Sequence, residues 1–248
     1  MRDPVPFLDT NAIAWVRPGP PGIYSKLLSR DPETGERTAL NRLLPEEGMN
    51  PPGAAHYHRT TEELLIVKGR MSFDSQVWLT RQSYCFHPPE TVHGFKSVVP
   101  EESWFLSRIG KKLDFNFVDE PLQLSPYYVC AEPPARGVVY HAEPAAEVWE
   151  EIENAQRFAL SLDPDTGEGS VLLRTKPGWV SGVDGEALER FEEVFVLDGA
   201  LSCTDGNAYA DGCYSFNLPG VPRRSLTCKK AALLYFTVGP EDNQSSAK

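Results

Sequence analysis

The sequence predicts an all-β protein built from two copies of one domain, each a sandwich or barrel of short strands, on three observations. Turn formers are in excess, with 22 prolines and 19 glycines in 248 residues, which favours many turns over long helices. Short apolar runs rich in β-branched residues end at glycine: Leu64 to Val67 before Gly69, and Val194 to Leu197 before Gly199. Buried strands close at turns in this way. Finally, the chain repeats itself.

Ser29 to Leu43 reads SRDPETGERTALNRL and Ser161 to Thr175 reads SLDPDTGEGSVLLRT, identical at eight of fifteen positions with an offset of 132. EELLIVKG (Glu62 to Gly69) matches EEVFVLDG (Glu192 to Gly199) at offset 130, and YCFHPPETVH (Tyr84 to His93) matches YSFNLPGVPR (Tyr214 to Arg223) at the same offset. A solenoid repeat spans only about 20–50 residues, so each copy is a domain with its own core. The domains are read as residues 1–125 and 126–240, followed by a flexible polar tail, 241–248.

The elements follow in order. D-P-E-T-G and D-P-D-T-G are turns in which Pro presets φ and Gly accepts φ > 0. Pro144 to Gln156 suits either a short helix or a strand followed by a turn, and both readings stay open. Leu233 to Val238 (LLYFTV) is a further buried strand.

The net charge of −11 argues against a nucleic-acid footprint and against an anionic membrane surface. Neither a signal-peptide stretch nor a run approaching about 18 apolar residues is present, so a cytoplasmic protein is expected. The five cysteines (Cys85, Cys130, Cys203, Cys213 and Cys228) form no C-x-x-C pair, are odd in number, and are read as reduced thiols.

Chemistry concentrates on the histidines. Alternation along a strand puts His56 and His58 on one face. Glu62 lies beyond a short polar turn, where a returning strand brings its carboxylate opposite them, and His93 follows the Pro88-Pro89 turn. Imidazoles with one carboxylate suit a divalent transition metal rather than calcium or magnesium. Strand parity favours Glu62 over Glu63, and His87 is read as a supporting residue.

These residues resemble the cupin superfamily, whose motifs are G-x5-H-x-H-x(3,4)-E-x6-G and G-x5-P-x-G-x2-H-x3-N. His56-Tyr57-His58-x3-Glu62-x6-Gly69 fits the first from its first histidine onward, with Asn50 at the leading glycine. Pro88-Pro89-Glu90-x2-His93 fits the second, with Gln82, Glu90 and Ser97 where the family has Gly, Gly and Asn, departures expected to affect turn geometry. The resemblance implies two tandem double-stranded β-helix (jelly-roll) barrels and a metal held by His56, His58, Glu62 and His93. It also implies Glu62 as a catalytic residue, and frequent dimerisation. Iron(II) is favoured, with manganese, nickel, copper or zinc compatible with the same ligands. At offset 130 the four ligands become Glu186, Leu188, Glu192 and Arg223, so the second barrel is expected to lack metal, with Arg223 and Glu192 free to pair.

Tyr84, Phe86, Phe95, Trp104 and Arg108 are taken as substrate-pocket candidates, Arg108 foremost because a buried guanidinium needs an anionic partner. The function expected from the resemblance is dioxygenation of a small metal-chelating molecule (an enolate, diketone or hydroxy-carbonyl). Isomerase, lyase or cyclase chemistry without redox, and a ligand-sensing module without catalysis, are the alternatives.

Overall fold

The computed structural model describes residues 2–49, 51, 53–119 and 125–241; the tail read as flexible lies, from residue 242, outside them. Two compact units are present. One holds the residues up to Asp3 together with Ala14–Ala146, the other Pro4–Ile13 and the chain from Glu147 onward. The division therefore falls at Ala146/Glu147, where the repeat had suggested 125/126, and the second unit also claims a segment near the N-terminus.

The strands of the N-terminal half are β1 (Val5–Asp9), β2 (Ile23–Arg30), β3 (Arg37–Leu43), β4 (His56–Tyr57), β5 (Glu62–Lys68), β6 (Tyr84–His87), β7 (Thr91–Val92), β8 (Ser103–Ile109), β9 (Asn116–Phe117), β10 (Tyr127–Tyr128) and β11 (Val139–His141). Then come β12 (Glu150–Ile152), β13 (Ala155–Leu162), β14 (Gly169–Thr175), β15 (Glu192–Asp198), β16 (Ala200–Cys203), β17 (Ala208–Ala210), β18 (Cys213–Asn217), β19 (Leu226–Cys228) and β20 (Ala232–Val238). Helix among the described residues is confined to single 3₁₀ turns, one at Pro144–Ala146. The stretch left open between helix and strand thus resolves into that turn, β12 and the start of β13.

The first unit has an antiparallel sheet in the order β11-β6-β5-β8-β3-β2, with the short pairs β4–β9 and β7–β10 beside it. The second has β1-β18-β15-β20-β14-β13-β12 and the three-stranded β17-β16-β19. The five strands β6-β5-β8-β3-β2 match β18-β15-β20-β14-β13 one for one, so the sequence repeat is a structural repeat. Its best-matched block makes the same hairpin twice: Asp31 Oδ1 accepts from the Glu33 N–H at 2.9 Å, and Asp163 Oδ1 accepts from the Asp165 N–H at 2.9 Å. Such Asx turns pin the register of the strands they join.

At one edge of each sheet the repeat is traded. In the first unit β11 pairs with β6, with Val139 opposite Phe86 and His141 opposite Tyr84. In the second, β1 pairs with β18, with Val5 opposite Phe216 and Leu8 opposite Tyr214. Phe86/Phe216 and Tyr84/Tyr214 are repeat equivalents, so β1 and β11 are too. Each unit completes its sheet with the edge strand that, by position in the sequence, precedes the other copy.

The interiors differ. The second unit is filled by Val171, Leu173, Val194, Val196, Leu201, Leu226 and Leu234 with their neighbours. In the first, Leu43, Met49, Leu64, Met71 and Val99 pack on one another and also form the wall of a cavity. All five cysteines are free thiols, as their spacing predicted. No helix among the described residues is long and apolar enough to cross a membrane.

Candidate metal centre

His56 lies on β4 with His58 just beyond it. The N–H of His56 donates to His93 O at 2.9 Å, and that of His93 to His56 O at 2.8 Å, so the backbone itself sets these two histidines side by side. The Glu90 N–H donates to His58 O at 2.7 Å, folding the diproline turn back against His58. Glu62 opens β5 opposite His87 on β6. All four imidazoles are buried.

Each of three histidines uses its Nδ1–H on a backbone carbonyl: His56 on Ala54 at 3.0 Å, His93 on Thr91 at 3.0 Å, and His58 on Asp114. These bonds fix the tautomer and leave each Nε2 with an unshared pair. Nε2 of His93 then lies 3.3 Å from Glu62 Oε2 and that of His58 3.8 Å from it. Ligand atoms of His56, His58 and His93 all lie within 4.8 Å of one another, as do those of Glu62, His87 and His93. Two lone pairs at such separations repel unless a cation or proton sits between them, so this donor set fits a transition-metal ion.

His87 supports the cluster. Its Nδ1 lies 3.2 Å from Glu62 Oε2 and its Nε2 2.5 Å from the Tyr140 hydroxyl. Burial pushes the Tyr140 phenol well up, so it stays protonated and donates to Nε2, leaving His87 Nδ1–H to donate to Glu62. Burial also pushes Glu62 up, but the hydrogen bond from His87 and the electrostatic influence of the adjoining His93 and His58 rings overcome this and hold the carboxyl well below the usual carboxylate range.

Burial, with His93 beside them, brings both His56 and His87 down to about 4. The folded metal-free protein thus keeps them neutral, while the unfolded chain takes up protons near pH 6.5. Their contribution to stability is full above about pH 6.5 and is lost as pH falls toward about 4. Urea midpoints of the metal-free protein are expected to fall steadily across this window, and a flat profile would rule out neutral buried imidazoles.

Two turns beside the site show how the chain departs from the family motif. Gln82 (φ 74°) and Glu90 (φ 63°) are left-handed, so the turn geometry survives where glycine is replaced, at a cost of about 1–2 kcal/mol each. Their counterparts in the second copy, Gly212 (φ 83°) and Gly220 (φ 78°), are glycines. Gly94 (φ 78°) permits the packing of His56, since a Cβ there would meet the imidazole Cε1 at 2.6 Å.

The cluster opens into a cavity of about 280 Å³. Its wall comes from alternate residues of β3 (Arg37, Asn41, Leu43), β5 (Glu62, Leu64) and β8 (Phe105, Ser107, Ile109), the inward face of the sheet. Phe115, 50% exposed, also lines the cavity, and the rings of Phe115 and Phe117 have centroids 5.3 and 5.7 Å from that of His56.

The five residues expected to line the pocket do not line this cavity, and strand parity is the main reason. Tyr84 and Phe86 pair with Leu65 and Glu63, whereas the inward Leu64 and Glu62 pair with Cys85 and His87. Tyr84 donates its hydroxyl to Glu63 Oε2 at 2.8 Å, and Phe86 lies under the Arg136 guanidinium, 4.0 Å from its ring centroid. On β8, Trp104 and Arg108 alternate with the inward Phe105 and Ser107. Arg108 has the anionic partner its burial demands, but this is Glu63, at 3.0 Å. Trp104 packs edge-on to Trp15 at 5.1 Å. Phe95 packs with Ala55 and Val92 and lines a second cavity of about 210 Å³, whose wall includes His93 and Tyr140.

Arg37 was missed by sequence reasoning. Burial and the charge of Arg30 push its guanidinium down from its ordinary value, and Glu62 pulls it back up. The repeat held a signal for it, since the copy has Gly169 there.

In the second unit, Glu186 and Arg223 keep the backbone bond of His56 and His93, with the Arg223 N–H donating to Glu186 O at 2.7 Å. The side chains there make an ion pair. Arg223 Nη1 and Nη2 donate to Glu192 Oε2 at 2.8 Å and Oε1 at 2.7 Å, as the spacing allowed.

Residues 6–110 match the family of the ChrR cupin-like domain. No curated protein matches the sequence significantly. Among solved structures, the chain is similar to a Nostoc punctiforme protein with a suggested dioxygenase activity (TM-score 0.73, 16% identity, 97% of this chain and 83% of that one). It is similar also to protein YlbA from E. coli (0.61, 13%, 95% and 91%) and to a mutant of Bacillus subtilis oxalate decarboxylase (0.54, 13%, 93% and 76%).

Proposed function

We propose that this chain, whose residues 6–110 match the ChrR cupin-like family, is a metal-dependent enzyme of the cupin superfamily: an iron(II) dioxygenase for a small chelating molecule, with both units cupin barrels and the first alone catalytic. The observation that carries this reading is the convergence of unprotonated imidazole nitrogens on Glu62 at the wall of a mostly apolar cavity. His56, His58, Glu62 and His93 would hold the ion. Bound there, a ferrous ion supplies sites for a bidentate substrate and for dioxygen.

The remaining roles fall to the chain. Carbonyl bonds to the three Nδ1 atoms hold the imidazoles in the ligating tautomer. Glu62, kept ionised, serves as ligand or as base, and the Tyr140–His87 pair delivers a donated hydrogen bond to its Oε2. Leu64, Phe105 and Phe115 exclude water from the space beside it. We further propose a cytoplasmic homodimer, with no nucleic-acid or membrane partner.

The test is anaerobic loading with iron(II), followed by oxygen uptake with a panel of 1,3-dicarbonyl and catechol-like compounds. Uptake that tracks iron content is expected. Retention of zinc or nickel with no uptake for any compound overturns the dioxygenase reading in favour of Lewis-acid chemistry without redox.

A further inference from the structure

Arg37, Ile109 and Glu62 form one row across three strands, since Ile109 on β8 is opposite Arg37 on β3 and opposite Glu62 on β5. Two strand spacings put the Arg37 and Glu62 backbones about 10 Å apart. Both side chains face the same cavity. No hydrogen bond or ion pair engages the Arg37 guanidinium among the described residues, although the group is half-buried. Four residues along β3 from Arg37, Asn41 Nδ2 donates to Ser107 Oγ at 2.9 Å, and both also line the cavity. A guanidinium set in a largely apolar wall costs desolvation that the charge of Glu62, two strands away, offsets only in part, so the arrangement calls for an anion from outside.

The second copy supplies an internal control. By sheet register Arg37 corresponds to Gly169, Asn41 to Leu173 and Ser107 to Phe236: Gly169 pairs with Val238, which also pairs with Glu192, just as Ile109 is shared by Arg37 and Glu62. The copy without the histidines has thus also lost the arginine and both polar neighbours, and Leu173 and Phe236 belong to its packed interior. The cation and the metal cluster occur together or not at all within this chain.

We propose that Arg37 is the anchor for a carboxylate, and that the substrate is a small organic acid. Its apolar body lies along Leu64 and Phe105, and its far end meets the His56/His58/His93 cluster. Asn41 and Ser107 flank the carboxylate. This rests on the metal-centre reading for the far end only. A planar, bidentate guanidinium suits a carboxylate better than an ammonium does.

The test uses 4-carboxybenzohydroxamate and its neutral isostere 4-carbamoylbenzohydroxamate, titrated calorimetrically into the full chain, metal-free and cobalt(II)-loaded. Wild-type protein is expected to prefer the carboxylate by about tenfold or more, the range of a charge-assisted hydrogen bond. Arg37→Ala should bind both probes alike, and Arg37→Lys should keep part of the preference, with circular dichroism and cobalt content unchanged in both variants. A carboxylate probe that does not bind, or a preference that survives Arg37→Ala, overturns the proposal. Failure of cobalt to tighten either probe while the preference stands would instead count against the metal centre, and leaves the arginine anchor supported.

Discussion

Purified without added metal, the protein is expected to carry about one transition-metal ion per chain, the stoichiometry of a single cluster of imidazoles and carboxylate. His58→Ala should carry almost none. His58 is buried, its Nδ1 is bonded to the Asp114 carbonyl, and its Nε2 faces Glu62 at 3.8 Å. Deleting it removes a donor already oriented, so affinity should fall by at least on the order of 100-fold, the upper range for losing a mere orienting partner of a ligand. Elemental analysis of both proteins decides the matter, with His141→Ala as a control on β11. Equal metal in wild type and His58→Ala, or none in either, sinks the centre.

The second large effect belongs to the other unit. Arg223→Leu is expected to destabilise the protein by about 3 kcal/mol, because removing one member of a largely buried pair leaves the other charge uncompensated. Glu192 would then face Leu188, Val194, Leu226 and Phe236, the apolar neighbours with which it shares a small cavity. The double variant Glu192→Gln/Arg223→Leu should recover much of the loss, since no isolated charge remains. Urea unfolding followed by tryptophan fluorescence reads the change, and metal content should not move. An unaltered midpoint in Arg223→Leu would show that the pair contributes nothing.

Much of this was legible in the residues. The repeat foretold two equivalent sheets because turn chemistry is local: D-P-E-T-G and D-P-D-T-G make the same Asx-closed hairpin. His56 and His58 share a face, and parity selected Glu62 over Glu63, whose carboxylate instead receives Tyr84 and Arg108. The same parity rule, had it been carried onto β6 and β8, would have excluded Tyr84, Phe86, Trp104 and Arg108 from the cavity. A side chain's face follows from the register of its strand, and register between distant strands is not written in either strand alone. The bond from His87 to Tyr140 was hidden for the same reason, since β11 reaches β6 from 53 residues away.

The traded edge strands bear on how the molecule comes into being. Val5 to Asp9 is made long before its partner β18; the Tyr209 hydroxyl reaches back to the Pro6 carbonyl across 203 residues. Until β18 is made β1 has no edge to join, and β18, when it arrives, pairs with β15 on one side and with that early segment on the other. Closure of so long a loop is slow, and an unpaired strand invites association with other chains meanwhile. Deleting Val5 to Asp9 would therefore strip an edge strand from the half that carries no histidine cluster, whereas a fragment ending at residue 125 would lose Tyr140 from the half that does. A cut at 125/126 would injure both halves, taking β11 from the first and β1 from the second.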